Sequence, residues 1–248
     1  MCPSWYVGND FAQYAEWMDQ CGIPRKYLKV IEDTYTGQAF ITTDMDDNQI
    51  TAFHPGAMSQ SHEVQVRDAD EVSIGIVSPD GRDGMIQHAQ QFAAAGIPFI
   101  FDPGQGMPMF NGDELMQFVD LATWVTLNDY EAQLLQERTG RELDDLANEV
   151  EALIVTLGAE GSRIYQDNTR IDIPPAKVDA VNDPTGCGDA YRAGLLYGLE
   201  NGLDWETTGR IAALMGAIKI EQHGTQNHRF TKDEFNKRYQ DNFGATVL

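Results

Sequence analysis

The sequence contains few cysteines, few basic residues and no long apolar run. Its three cysteines, Cys2, Cys21 and Cys187, lack metal-ligand spacing, and their odd number argues against a disulfide framework. We therefore expect reduced thiols, with Cys187 a small residue in a loop rather than a reactive one. No apolar stretch is long enough to cross a bilayer, and the N-terminal residues lack the basic and apolar regions of a secretory signal. These absences predict a soluble, cytoplasmic protein without a membrane partner.

Basic residues are outnumbered by acidic ones, 17 to 39, so the formal net charge is −22. Such a charge repels nucleic acids and anionic membrane surfaces, so no nucleic-acid partner is expected. An acidic protein can still bind a polyphosphate where magnesium and backbone dipoles neutralise it. The 248 residues, of which 42% are hydrophobic, can bury one large core, and we expect a single domain over residues 1–248.

Two common nucleotide-binding motifs are also missing. The sequence has no Gly-x-x-x-x-Gly-Lys-Ser/Thr string, which excludes a P-loop. Gly186-Cys187-Gly188 begins like a dinucleotide fingerprint, but Tyr191 stands where that motif needs Gly or Ala. The segment also follows most of the predicted strands instead of lying in the first crossover. These observations argue against a dehydrogenase.

The sequence does contain an informative turn-rich segment, VNDPTGCGDAYRA at residues 181–193. One proline and two glycines predict a tight turn with an accessible backbone, and an apolar helical pattern follows directly. The segment therefore predicts a loop that leads into a helix N-terminus. Unpaired N–H groups and the helix dipole favour an oxyanion or phosphate at such a place.

A carboxylate, Asp189, directly follows these glycines. It would repel a phosphate that was simply bound. It suits a base that takes a proton from a substrate hydroxyl while Gly186, Cys187 and Gly188 hold the phosphoryl group in transfer. The alternative is that Asp183 and Asp189 only cap a turn and a helix, as such residues commonly do.

Strands and helices alternate from residue 71 onward. This order implies right-handed crossovers and a mainly parallel sheet in an α/β fold. Ligands bind beyond the carboxyl ends of such strands, where Asp102, Asn128 and Gly158 lie. The predicted strands span residues 72–77, 97–101, 124–127 and 153–157, and the predicted helices span residues 9–21, 85–95, 112–119, 130–138, 144–150, 189–200 and 205–221.

A β-hairpin is predicted at about residues 33–55. Two strand-like runs, Ala39–Thr43 and Gln49–Phe53, flank the polar turn Asp44–Asn48. From the residues alone, this hairpin is either a lid or an ordinary edge hairpin.

Residues 183–190, DPTGCGDA, resemble the C-terminal signature of the ribokinase-like, or phosphofructokinase-B, kinases of sugars and nucleosides. The resemblance covers nearly the whole chain. It implies a three-layer α/β/α fold with a mainly parallel central sheet and a small β lid, to which the predicted hairpin corresponds. It also implies that Asp189 is the catalytic base and that the glycines before it, Gly186 and Gly188, form the anion hole.

The same resemblance implies two metal sites. Asn128-x-x-Glu131 lies between a predicted strand and a predicted helix, and by itself it suits a helix cap as well as a set of oxygen ligands for magnesium. It resembles the Asn-x-x-Glu motif of the family, which is associated with magnesium and phosphate positioning. Asp183 and Thr185 stand where relatives often bind potassium.

A nucleotide-binding loop is expected after the strand at residues 153–157. Two glycines there allow the close approach of a ligand, although a plain turn would need them too. The loop resembles the family's Thr-x-Gly-x-x-Gly segment, which assigns nucleotide contacts to Thr156, Gly158 and Gly161. Gly224 begins a Gly-Thr-Gln string similar to another family segment near the nucleotide. The implied phosphoryl donor is ATP.

A closer resemblance indicates the acceptor. Residues 38–44, 53–58 and 102–105 are similar to those of bacterial adenosine kinases in this family. This implies transfer of the γ-phosphoryl group of ATP to the 5′-hydroxyl of adenosine, with AMP as product. A sugar kinase of the ribose or fructose type is the alternative. Relatives often pair through their lid strands, so a homodimer is expected.

The resemblance also predicts that an N-terminal segment is missing. Relatives carry a strand, a substrate-contacting Asp and a Gly-Gly segment followed by Asn ahead of the Val-Gly-x-Asp string, which here is Val7–Asp10. A missing strand would expose a sheet edge and weaken acceptor recognition. A catalytically impaired nucleotide-binding fragment is therefore a further alternative.

Overall fold

Two compact units make up the part of the chain that this computed structural model describes, residues 4–43 and 49–247. The first unit comprises residues 1–99 and 105–110, and the second comprises residues 100–104 and 111–248. The expectation of a single domain stays a prediction.

The first unit combines short strands with two helices. Its elements are β1 (Ser4–Gly8), α1 (Ala12–Gln20), β2 (Tyr27–Ile31), β3 (Gln38–Thr43), β4 (Gln49–His54), β5 (Gly75–Val77) and α2 (Arg82–Ala95), with 3₁₀ turns at Gly56–Glu63 and Val66–Asp68. Strands β1 and β2 form a parallel pair. Helix α1 confirms the predicted helix at residues 9–21, and Gly22 follows it with a left-handed φ of 67°. That conformation is the reason for a glycine at the end of this helix.

The predicted hairpin is confirmed in its two strands. β3 and β4 pair in antiparallel register, with Gln38 opposite His54. The predicted turn at residues 44–48 lies outside the described residues. The two strands form a small sheet of their own, and four of their apolar side chains are exposed: Phe40, Ile41, Ile50 and Phe53.

The second unit contains the central sheet. After β6 (Phe99–Phe101), which begins at the junction of the units, its elements are α3 (Gly112–Leu121), β7 (Trp124–Asn128), α4 (Asp129–Thr139), α5 (Leu143–Ala147), β8 (Ala152–Thr156), β9 (Ser162–Gln166), β10 (Thr169–Ile173), α6 (Cys187–Glu200), α7 (Trp205–Ile220) and α8 (Lys232–Phe243). Its strands follow the order β10-β9-β8-β7-β6. Strands β6, β7 and β8 are parallel, whereas β9 and β10 run antiparallel.

The parallel strands of this sheet are buried. Val125, Leu127 and Ile154 have 0% of their surface exposed, as expected for parallel strands covered on both faces. Phe101 stacks on Phe118 of α3 with ring centroids 4.5 Å apart. Helix α4 packs on β7 and β8, and α7 packs on β9 and β10. This packing fixes the carboxyl ends of β6, β7 and β8.

Several predicted boundaries were wrong. The strand predicted at residues 72–77 begins only at Gly75, whose N–H donates to Pro98 O. The helix predicted at 144–150 ends at Ala147 because Asn148, at its C-cap, is followed by a turn. Helix α6 begins at Cys187, two residues before the predicted start, so Asp189 lies inside its first turn. Strands β1, β2, β9 and β10 were not predicted.

The C-terminal helix α8 begins with a reciprocal cap. The Thr231 hydroxyl accepts from Glu234 N, the Glu234 carboxylate accepts from Thr231 N, and the Phe230 and Phe235 rings lie 5.3 Å apart. Among the described residues, no helix is long and apolar enough to cross a membrane.

Candidate active site

Three polar residues meet at the carboxyl edge of the parallel strands. Asn128 ends β7 directly opposite Thr156 at the end of β8, and Asp102 immediately follows β6. This is the edge where sheets of this kind bind their ligands. The placement expected from the strand order for Asp102 and Asn128 is therefore confirmed.

The glycine-rich loop enters α6 through a left-handed residue. Gly186 is the N-cap, with φ 86°, a conformation that side-chain-bearing residues rarely adopt. Cys187 N donates to Pro184 O within the turn. The N–H groups of Gly188 and Asp189 lie in the first turn, where a helix supplies no backbone partner. With the helix dipole, these groups make a site for an oxyanion, and the exposed Asp189 carboxylate lies in the same turn.

One turn further along α6, a buried arginine joins the helix to the strand edge. Arg192 Nη2 donates to Asp102 Oδ1 at 2.6 Å, Nε also contacts this carboxylate, and Nη2 lies 4.0 Å from Glu131 Oε2. The three side chains are only 12%, 5% and 11% exposed. Burial acts to lower the pKa of Arg192, but the two carboxylates raise it above its ordinary value. An added Cβ at Gly188 would lie 2.8 Å from Arg192 Nη1, so this glycine leaves room for the guanidinium.

Asn128 and Glu131 cap α4 reciprocally. Asn128 Oδ1 accepts from Glu131 N at 2.7 Å, and Glu131 Oε2 accepts from Asn128 N at 2.8 Å. Burial raises the pKa of Glu131, while the hydrogen bond from Asn128 and the charge of Arg192 act to lower it. The helix-cap reading of this motif is therefore correct. Among the described residues, the two contacts given above for this carboxylate are made by Oε2. Its other oxygen, Oε1, can accept a hydrogen bond from a water of a magnesium ion, which fits because magnesium keeps several of its waters when bound.

Asp183 connects the glycine-rich loop to the turn at Gly224. Its Oδ1 accepts from Thr185 N and its Oδ2 accepts from Gly224 N, both at 2.9 Å. These two backbone hydrogen bonds lower the pKa of Asp183 to about 2. Gly186 also lies close to this turn, since a Cβ added to it would be 3.1 Å from Thr225 O. The carboxylate thus holds the loop before α6 against the segment after α7.

A lysine occupies the neighbourhood of the predicted potassium site. Lys219 Nζ donates to Asp183 O at 2.6 Å and lies 3.9 Å from Asp183 Oδ1, and the Lys219 side chain is 0% exposed. A cation of the protein is therefore already in contact with Asp183. Asp183 and Thr185, as arranged here, do not fit a bound potassium ion.

The three residues of the predicted nucleotide loop differ in how open their surroundings are. Thr156 lies at the strand edge. Gly158, with φ 57°, is exposed, and no atom of the described residues lies within 4 Å of a Cβ added to it. Gly161 instead packs closely, because its added Cβ would lie 2.1 Å from Ile173 O. Gly158 is therefore open to a ligand, whereas Gly161 is needed for the turn into β9.

A buried hydrogen bond fixes the start of α6 against β9. The hydroxyls of Ser162 and Tyr191 lie 2.7 Å apart, and burial raises the pKa of Tyr191 to about 12. This pair was not predicted from the sequence, and neither were Arg192 and Lys219 as site residues. A signal was present for the last two, since each is a lone charge in an otherwise apolar stretch of helix, where charges are rare unless paired.

Comparison with known proteins identifies the family. The sequence model described as pfkB family carbohydrate kinase matches residues 5–232. A nucleoside kinase of Methanocaldococcus jannaschii is 32% identical over 236 residues, which are 94% of this chain and 78% of that protein. The structure of a Burkholderia thailandensis nucleoside kinase in complex with inosine is 48% identical, with TM-score 0.96 over 98% of this chain and 80% of that one. A second structure of the same kinase, in complex with ADP-inosine, has TM-score 0.94 and 48% identity and covers 98% of this chain and 76% of that one.

These matches confirm the predicted ribokinase-like α/β fold, with its mostly parallel central sheet and small antiparallel sheet. They also confirm the reaction class, transfer of a phosphoryl group to an alcohol. The chain belongs to the pfkB family of carbohydrate kinases.

Proposed function

We propose that this chain is a nucleoside kinase that transfers the γ-phosphoryl group of ATP to the 5′-hydroxyl of a purine nucleoside. The observation that carries the proposal is the exposed Asp189 carboxylate in the first turn of α6, where the backbone N–H groups have no partner within the helix. Adenosine, with AMP as product, is the acceptor that the sequence resemblance favours. The similarity to a kinase solved with inosine supports this acceptor class, because inosine, like adenosine, is a purine nucleoside.

The N–H groups of the first turn of α6 would stabilise charge on the phosphoryl group in transfer. Asp189 would accept the proton of the 5′-hydroxyl of the nucleoside. The 5′-oxygen then bonds to the γ-phosphorus of ATP, and the bond between the γ-phosphorus and the oxygen that leaves with ADP breaks. Burial raises the pKa of the Cys187 thiol, which disfavours a nucleophilic role for this residue. Gly186 and Gly188 contribute their conformational freedom and small size.

Asp102 and Arg192 act as positioning residues, because they join α6 to the strand edge at the proposed phosphate site. Magnesium, when bound with ATP, neutralises phosphate charge. We propose that Glu131 would hold the magnesium ion through one of its waters and that Asn128 positions Glu131 through the helix cap.

Nucleotide contacts are proposed for four residues: Thr156, Gly158, Gly161 and Gly224. Gly158 is the best supported because its surroundings are open. Gly161 and Gly224 would act through the shape of their turns.

A kinase that uses ATP is expected in the cytoplasm. The exposed apolar side chains of the β3–β4 hairpin support the proposed homodimer through the lid, and a monomer mass that does not change with concentration would refute it.

The decisive experiment is a coupled assay of ADP formation with magnesium, in which adenosine, inosine, ribose and fructose are offered separately. The Asp189→Asn variant should lose about 10²- to 10⁴-fold in kcat, the usual contribution of a positioned base. Its unfolding temperature should match that of wild type, because Asp189 is exposed. Asp113→Asn is the matched control, since Asp113 is also an exposed acid in the first turn of a helix.

The assay also separates the alternatives. Stimulation by ribose or fructose instead of a nucleoside would favour a sugar kinase. Nucleotide binding without stimulation by any acceptor would indicate an impaired fragment. An undiminished rate in Asp189→Asn would refute the catalytic assignment.

A further inference from the structure

A fully buried lysine near the end of α7 makes its closest contacts outside its own helix. Lys219 Nζ donates to Asp183 O at 2.6 Å and to Gln222 O at 3.4 Å. A lysine that only capped α7 would need the carbonyls at the end of that helix. Here the shorter hydrogen bond runs to the loop that leads into α6.

Within the described ranges 4–43 and 49–247, three oxygen atoms from two segments therefore lie next to one positive charge. Two are the backbone carbonyl oxygens of Asp183 and Gln222, and the third is the Asp183 Oδ1 atom at 3.9 Å. Backbone carbonyls and one carboxylate are the ligands that a monovalent metal ion would use. An ammonium group has the same charge and bonds to the same oxygens.

We infer that the Lys219 ammonium is a built-in monovalent cation, which joins the Asp183 loop to the Gly224 turn and makes a bound potassium ion unnecessary. A potassium ion at Asp183 would lie beside this ammonium and would be repelled by it. The same loop continues into the proposed anion site, since Asp183 also accepts from Thr185 N. The fixed charge thus keeps the start of α6 in place without an ion from solution.

The part of this inference that concerns nucleotide binding rests on the proposed function, so two separate measurements are needed. The first is the unfolding temperature in potassium chloride and in choline chloride at equal ionic strength. The second is ADP affinity by calorimetry in the same two salts. Wild-type protein should show no difference between the salts in either measurement.

Two substitutions distinguish a cation site from a merely structural lysine. Lys219→Ala removes the charge and leaves space, whereas Lys219→Met removes the charge and fills the space. In choline, both should bind ADP roughly 10- to 100-fold more weakly, as expected for loss of a charge-assisted hydrogen bond. Potassium should restore the unfolding temperature and the ADP affinity of Lys219→Ala only. Lys237→Ala, which removes an exposed lysine of α8, is the control and should behave as wild type.

The inference fails if wild-type protein needs potassium for stability or for ADP affinity. It also fails if folded Lys219→Ala is not rescued by potassium, or if Lys219→Met is rescued equally well. If Lys219→Ala does not fold in either salt, the comparison of wild-type protein in potassium chloride and in choline chloride still tests the inference. If no variant binds ADP in either salt, the result counts against the proposed function. The unfolding temperatures would still test whether the Lys219 ammonium replaces a potassium ion.

Discussion

Replacing Arg192 with methionine should destabilise the second unit strongly near neutral pH. The substitution keeps much of the apolar stem but leaves Asp102, 5% exposed, and Glu131, 11% exposed, without their shared cation. Removal of one partner from a buried ion pair costs about 3–5 kcal/mol, because the remaining charge stays desolvated. We therefore expect a loss of about this size in the free energy of unfolding.

The loss should shrink as the pH falls. Burial already raises the pKa of Glu131, and the charge of Arg192 acts to lower it, so the pKa should rise further in the variant. A carboxyl group whose pKa is higher in the folded than in the unfolded state binds more protons when folded. The folded variant should therefore gain stability relative to wild type as the pH falls through the folded pKa of Glu131.

Urea denaturation followed by tryptophan fluorescence, near neutral pH and at about pH 5, measures both effects. The matched control is Arg163→Met, because Arg163 pairs with Asp172 at the surface, where the side chains are 41% and 60% exposed. Its loss should be about 0–1 kcal/mol at either pH. A loss in Arg192→Met no larger than that of the control, or one that grows in acid, would refute the reasoning.

Three further predictions concern the loop and the start of α6. Gly186→Ala should cost about 1–3 kcal/mol and weaken ADP binding, because φ is 86° and the added Cβ meets Thr225; an unchanged unfolding temperature would contradict this. Asp183→Asn should remove a stability contribution that is present above pH 3.8, the ordinary pKa, and lost as the pH falls toward about 2, so the wild-type and variant acid-unfolding curves should converge at the acid end. Tyr191→Phe should cost about 1–3 kcal/mol in urea denaturation by leaving the buried Ser162 hydroxyl unpaired, and Ser162→Ala added to it should recover part of that loss.

Local patterns predicted the parallel part of the fold well. β7 and β8 are continuous apolar runs, and α6 and α7 show clear helical periodicity, so each appeared in the sequence near its observed bounds. The β9–β10 hairpin was missed although its turn carries a signal. Asp167 and Asn168 both have positive φ, as a two-residue hairpin turn requires, and these residue types favour it. The β1–β2 pairing was not predictable locally, because a helix separates the two strands.

The candidate site was predictable only where its residues are contiguous. Asp189 and the glycines before it lie in one string, so their shared helical turn followed from the sequence. Asp102 and Arg192 are 90 positions apart, and only the fold brings them together. Lys219 lies in an apolar helical stretch, and nothing in the neighbouring sequence indicates that its ammonium contacts the backbone carbonyl oxygen of Asp183.

Catalysis by Asp189 is tested by ADP formation from ATP and magnesium with a purine nucleoside present or absent, in wild-type protein and in Asp189→Asn. We expect adenosine or inosine to stimulate the wild-type rate, and we expect the substitution to remove this stimulation while ADP binding persists. Equal nucleoside-dependent rates in the two proteins would contradict it.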